Sequence, residues 1–178
     1  MEDKLYLVPV GEVPGDVLTT LSPKLEGALG MACGIAPALR HPFDAYNTSR
    51  EQYLSTDILG QLGQLDLPGA FRFLGVVNLD LYVPELNFIF FGQATMGGRD
   101  ASVALPRLRQ SFYGLAEDGD LFHLRLLKEA VHELGHTFGL GHCPKRTCVM
   151  CFSNSLRDTD IKGQSFCPGC RSMLGDQD

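Results

Sequence analysis

Residues 132–151 read HELGHTFGLGHCPKRTCVMC and hold three of the five histidines and three of the six cysteines of a 178-residue chain. His132 and His136 stand four apart, so on a helix both imidazoles leave one face and can grip a single metal ion. Glu133 projects beside them without being needed as a ligand, the place for a general base that takes a proton from a metal-activated water. Gly139 can adopt the left-handed conformation that ends a helix and turns the chain back. His142 then reaches the same ion. Three neutral imidazoles leave zinc its +2 charge and an open position, and that charge lowers the pKa of a water toward about 7.

Six cysteines could make three disulfides in a secreted protein. The opening MEDKLYLVPV, however, carries early acids and only a short apolar run, unlike a signal peptide, and no window approaches a membrane span. A cytoplasmic location is therefore expected, and clustered cysteines there read as metal ligands. Spacing alone pairs Cys148 and Cys151 with Cys167 and Cys170, a generic four-cysteine zinc pattern. Net charge is −6 and the basic residues are scattered, which argues against nucleic acid or anionic membrane as the main partner. Two zinc ions would add four charges and four thiolates would remove them.

The elements that must position these groups are readable in part. A 44% apolar chain of this length suits one domain with a real core, filled by eleven Phe and five Tyr in the absence of Trp. Residues 4–10, 33–39, 71–82, 86–94 and 101–108 read as strands, with Pro106 hinting at an irregular or edge position. PGDVLTTLSPKLEGALG reads as a helix, and TSREQYLSTDILGQLGQL as another capped by Thr48 or Ser49. DLFHLRLLKEAVHELGHTFGL is the clearest helix, with Asp120 at its N-cap and Leu124, Leu127, Val131, Leu134 and Phe138 on one stripe. Glu129, three residues before His132, reads either as a support behind the metal ligands or, preferred here, as the i,i+4 partner of Arg125, and His41 and His123 are surface or internally satisfied histidines. The expected class is mixed α/β (α+β), a twisted mixed sheet of about five strands with helices packed on it. The last 35 or so residues are expected to be irregular and held by metal.

HExxHxxGxxH followed by a Met after a short loop is the metzincin pattern of zinc metalloproteases. With His142-Cys143, Cys148-Val149-Met150 and Cys167-Pro168-Gly169-Cys170, and with SREQYLSTDIL, LNFIFFGQA and LLKEAVHELGH upstream, nearly the whole chain resembles an archaemetzincin. The resemblance implies a catalytic zinc on His132, His136 and His142, Glu133 as base and acid, and Met150 as the Met-turn residue beneath the site. It also implies a structural zinc on four cysteines, and here it selects Cys143 with Cys148, Cys167 and Cys170. A chelate loop clamped at both Cys148 and Cys151 would hamper the turn at Met150, but the generic spacing keeps Cys151 as the alternative. The fold implied is a compact zincin-like metalloprotease domain over 1–178, with an upper subdomain of about 1–140 and a small C-terminal one of about 141–178.

The function that follows is zinc-dependent peptide hydrolysis by a monomer, with a peptide or protein substrate along an edge strand placed at residues 86–93. Main-chain pairing of that kind suits endopeptidase and aminopeptidase action alike. No Tyr follows Tyr113, so the tyrosine some metzincins carry just after the Met-turn is absent and the oxyanion partner is unnamed. Asn154, Asp158 and Asp160 read as caps and turn-formers. A catalytically silent, zinc-stabilised peptide-binding module would use the same ligands, but it would need no base, so Glu133 favours the enzyme.

Overall fold

Leu5, Leu7, Val8 and Val10 lose all contact with solvent in the first strand, β1 (Lys4–Val10), which has a parallel partner on each side. A central parallel strand buries both faces, and successive side chains enter opposite cores. Leu5 and Leu7 join a core with Leu74 and Val76, while Val8 and Val10 join a second core with Phe73 and Val77. The computed structural model describes residues 3–86 and 91–175.

Helix α1 (Gly15–Leu29) buries Val17, Leu18, Leu21 and Leu25 on the first core, and β2 (Ala32–Ile35) follows. Strands β3 (Tyr46–Asn47) and β4 (Gln52–Leu54) form a short hairpin before α2 (Ser55–Gly63), which covers the second core. Then come β5 (Ala70–Val77), β6 (Leu81–Tyr82), β7 (Gly92–Ala94) and β8 (Asp100–Ala104). The main sheet has the order β2-β1-β5-β8-β7, all parallel except β7, which runs antiparallel to β8 at the edge. A small sheet, β3-β4-β6, stands apart from it. Helix α3 (Gly119–Thr137) lies on the first core, and the short helices α4 (Leu156–Ile161) and α5 (Pro168–Gly175) follow.

This is the expected mixed α/β class with a five-stranded mixed sheet, but several boundaries differ. The segment 48–54 is a hairpin and turn rather than the first half of a helix. The Asn47 side chain accepts from the backbone N–H of Ser49 and Arg50, at 3.0 and 3.2 Å, and Glu51 adopts a positive φ of 54°. That local turn outcompetes helix, so α2 begins only at Ser55. The strand expected at 33–39 is shorter. The run 71–82 splits between two sheets. The run 101–108 ends in a 3-10 turn at Pro106–Leu108, and β8 is an interior strand, not an edge. Asp118, not Asp120, caps α3, accepting from the Leu121 N–H at 3.0 Å. Part of the tail expected to be irregular is helical. In the strand expected over 86–94, residues 87–90 lie outside the described residues. Among the described residues no helix is long and apolar enough to cross a membrane.

The far end of α3 is also fixed. Arg72 donates to the Thr137 hydroxyl at 3.0 Å, with its guanidinium between the rings of Phe71 and Phe138. A cation there complements the carbonyl end of the helix dipole.

Candidate metal centre

Every residue of α3 from position 125 to 137 is buried, so the helix that carries these histidines is fixed by packing. His132 Nδ1 lies 2.8 Å from the Val149 carbonyl, and His136 Nδ1 lies 2.7 Å from the Leu140 carbonyl. A carbonyl only accepts, so each Nδ1 carries the proton and each Nε2 presents a lone pair. Those two Nε2 atoms stand 3.1 Å apart. With both lone pairs facing inward they cannot bond each other, and a cation resolves the conflict. Two nitrogens about 2.0–2.1 Å from one tetrahedral ion stand about 3.3 Å apart, close to what is found.

His142 completes the group. Gly139 has the expected positive φ, 85°, and the chain turns back so that the Cys143 N–H donates to the Met150 carbonyl at 2.9 Å. The His142 ring centre lies 5.3 and 5.0 Å from those of His132 and His136, and the three nearest ligand atoms lie within 4.8 Å of one another. His142 is the exposed member, which leaves one side open. Burial holds all three imidazoles below their usual pKa, His132 down to about 2, so they stay neutral and able to bind metal. Met150 is fully buried, with its thioether where a side chain on Gly135 would project.

Glu133 is 7% exposed, and burial, reinforced by the charge of Glu129 and opposed by Lys162, pushes its carboxyl up to about 8. A divalent ion nearby acts in the opposite direction. Its position depends on Gly92 of β7. A Cβ at Gly92 would come within 2.7 Å of Glu133 Cγ and 2.5 Å of the Ser102 carbonyl oxygen. Gly92→Ala is therefore expected to displace Glu133 and to lower the melting temperature, because neither backbone nor a buried side chain can yield that space freely. A variant that melts with wild type would show that Gly92 does not fix the place of Glu133.

Glu129 is not paired with Arg125. Arg125 instead grips Asp160 through two hydrogen bonds of 2.7 and 2.8 Å. Glu129 and Lys162 are both buried and bonded at 3.0 Å, and the Thr159 hydroxyl donates to Glu129 at 2.8 Å. Lys162 Nζ also lies 3.5 Å from His132 Nδ1 and 3.4 Å from the Cys151 carbonyl. This buried pair was missed because its cation comes from a distant segment with no periodicity to mark it. His41 is satisfied by the Tyr53 hydroxyl at 3.0 Å, and His123 packs beside Phe122. Ser155 caps α4, accepting from the Asp158 N–H, and the Asp158 carboxylate accepts in return from the Ser155 hydroxyl and the Asn154 backbone N–H, so Asp158 has the structural role expected of it.

The second cluster lies on the other side of the Met150 turn. Sulfurs of Cys143 and Cys167 are 3.9 Å apart, those of Cys148 and Cys170 are 3.8 Å apart, and all four lie within 4.8 Å of one another. These separations are far too long for disulfides but match four sulfurs about 2.3 Å from one tetrahedral ion, which stand about 3.8 Å apart. Cys148 Sγ accepts from the N–H groups of Met150 and Cys167 at 3.4 and 3.3 Å, as a thiolate would. An N–H of Cys170 pulls the Cys167 thiol down to about 6, while burial pushes Cys170 up. The Cys151 sulfur is outside this group, 3.9 Å from the Phe152 carbonyl, and Cys33 is half-buried beside α1. The two donor sets fit two zinc ions, one with an open side and one closed.

A cavity of about 400 Å³ sits over the histidines, lined by Val83, Leu86, Phe91, Gly92, Gln93, Glu129, His132, Glu133, His136, His142, Phe152 and Ser153. Residues 34–176 match the model of peptidase family M54. The chain belongs to peptidase family M54. It is 42% identical over 174 residues to the archaemetzincin of Methanocaldococcus jannaschii, covering 98% of this chain and 94% of that protein. It is 44% identical over 184 residues to that of Pyrococcus furiosus, covering 98% and 93%. The archaemetzincin structure from Methanopyrus kandleri superposes with a TM-score of 0.86 at 39% identity, over 98% of this chain and 94% of that one. That from Archaeoglobus fulgidus, complexed with malonate, gives 0.82 at 38% identity, over 96% and 99%. M54 peptidases are zinc metallopeptidases, which agrees with the enzyme reading and not with a silent binding module.

Proposed function

We propose that this chain hydrolyses peptide bonds at a zinc held by His132, His136 and His142, with Glu133 as general base and acid. The observation that carries the reading is the pair of inward lone pairs 3.1 Å apart on the helix that also presents Glu133 to the same cavity. Zinc there would supply a Lewis acid that polarises a carbonyl and brings a water toward ionisation near pH 7. Glu133 takes the water's proton and delivers it to the leaving amine. The buried Val83 and Phe91, with the half-buried Leu86, form an apolar wall that limits the water around it. The substrate main chain lies along β7, the antiparallel edge strand whose Gly92 and Gln93 line the cavity. Met150 supports the histidines from below.

Cys143, Cys148, Cys167 and Cys170 hold the second zinc, which is structural because four thiolates close its coordination. Thiols in this arrangement suit a reducing compartment, so we place the protein in the cytoplasm, acting as a monomer. We read the chain as one metalloprotease domain whose C-terminal part, from about 141, is stapled by that zinc.

Elemental analysis of purified variants tests the ligand assignment. Wild type should carry two zinc ions per chain, and His136→Ala and Cys170→Ser should each carry one. Cys151→Ser should keep two. Loss of an ion from that last variant would move the second site to Cys148, Cys151, Cys167 and Cys170.

A further inference from the structure

A cavity of about 550 Å³, larger than the one over the histidines, opens between α1, the first half of α3 and the cysteine-bearing tail. Its lining on α3 includes Asp120, Leu124 and Leu127. Leu124 and Glu133 are about two and a half helical turns apart, so this cavity lies on the side of α3 away from the catalytic groups. Peptide hydrolysis makes no use of it.

The room comes from α1. Lys24, Gly27 and Ala28 share the helix face that meets the cavity, and Gly27 and Ala28 are too small to fill it. A Cβ placed on Gly27 would meet nothing within 4 Å. The exposed Leu124 and the buried Leu127 add apolar surface from α3. Arg171, on α5, is held in place: its Nη1 donates to the Ala28 carbonyl at 3.1 Å, and its guanidinium lies 5.3 Å from the centre of the Phe166 ring. Among the described residues its other N–H groups reach no acceptor, and neither Arg171 nor Lys24 has an ion-pair partner. Two uncompensated cations in one cavity of a chain with net charge −6 favour an anion there. Asp120, the one acid in the lining, repels a dianion more strongly than a monoanion.

We propose that this cavity is a second binding site, for a small carboxylate with an apolar body. The carboxylate pairs with the preset guanidinium of Arg171, whose Nε–Nη2 edge can meet both oxygens, and Lys24 adds attraction. The apolar body covers Ala28, Leu124 and Leu127. Such a ligand also braces the tail. Arg171 directly follows Cys170, and the carbonyl of Ser165, another residue of the lining, accepts from the Val149 N–H at 3.0 Å. A ligand that ties these residues to α1 binds only the folded chain, so it should raise the melting temperature.

The test titrates isocaproate into the zinc-loaded protein by calorimetry, beside its uncharged amide, N-acetylleucine and inorganic phosphate. Isocaproate should bind with a Kd of about 1 mM or below, and the amide about tenfold more weakly or worse. Phosphate should bind less tightly than isocaproate. Gly27→Leu fills the cavity where there is room for a side chain, and Leu is the better helix former, so this variant should fold as well as wild type. It and Arg171→Ala should each weaken isocaproate binding by about tenfold or more. Both positions lie away from the histidines, so a carboxylate held by the catalytic zinc would bind these variants unchanged. Saturating isocaproate should raise the melting temperature of wild type and not that of Gly27→Leu. N-acetylleucine binding as tightly as isocaproate would assign the site to the C-terminus of a peptide, and isocaproate alone to a free acid. Undiminished binding to Gly27→Leu, equal binding of acid and amide, or no binding of either carboxylate would overturn the inference.

Discussion

Replacing Glu133 with Ala is expected to lower peptide cleavage by about 10²- to 10⁴-fold, the usual contribution of a positioned general acid–base group. Zinc content should remain two per chain, because Glu133 is not among the donors that converge on either cluster. Among the described residues that line the cavity, no other carboxylate is free to take over its role. Glu129 lines the same cavity, but its carboxylate is occupied by Lys162 and by the Thr159 hydroxyl. The variant should also fold well, since it removes a buried acid. In metal-free protein the effect has a pH signature. Burial raises the Glu133 carboxyl from 4.5 to about 8, so the folded state holds this proton more tightly than the unfolded state does. Its contribution is fully present below about pH 4.5 and is lost as pH rises through about 8. Thermal melts of metal-free wild type should lose stability over that interval, and those of Glu133→Ala should lose less. Undiminished cleavage by the variant would remove Glu133 from the mechanism.

The largest effect on stability is expected from Cys167→Ser. Few large apolar groups hold the segment beyond residue 140, and four sulfurs tie its two ends together. Structural zinc binding is folding free energy, on the order of 10 kcal/mol in small zinc modules. This protein has two cores of its own, so a loss of about 4 kcal/mol is expected, which lowers the melting temperature by about 10 °C. The damage should reach the active site. Cys148 Sγ accepts from the Met150 N–H, and the neighbouring Val149 carbonyl fixes the His132 ring, so slackening the cluster loosens a catalytic ligand. Calorimetry with limited proteolysis of the tail would show this. A variant melting with wild type would contradict a structural role for the cluster.

What could be read from the sequence was local. The four-residue spacing of His132 and His136 and the turn at Gly139 are consequences of helix geometry alone, and both are found. The apolar stripe of α3 is found only in part: Leu127, Val131 and Leu134 are buried but Leu124 is exposed, because α3 is enclosed on every side from position 125 to 137 rather than along one face. The choice between Cys143 and Cys151 was less local. Spacing prefers Cys151, but the chain doubles back through Met150, carries Cys143 into the sulfur cluster and leaves Cys151 outside it. The helix expected from Thr48 failed because Asn47 offers its side chain to the backbone two and three residues on, a competition that hydrophobic periodicity does not register. Lys162 could not be found at all from the sequence. Its significance comes from Glu129, a partner brought by tertiary packing, and that leaves no pattern along the chain.

The most direct measurement is cleavage of a diverse peptide mixture by zinc-replete protein, beside the same protein stripped of metal by a chelator, with the fragments read by mass spectrometry. New fragment ends are expected from the zinc-replete sample, none from the stripped one, and their return when zinc alone is added back. Fully metallated protein that leaves every peptide intact, or cleavage that persists after the histidine-bound metal has been removed, would contradict peptide hydrolysis at the histidine-bound zinc.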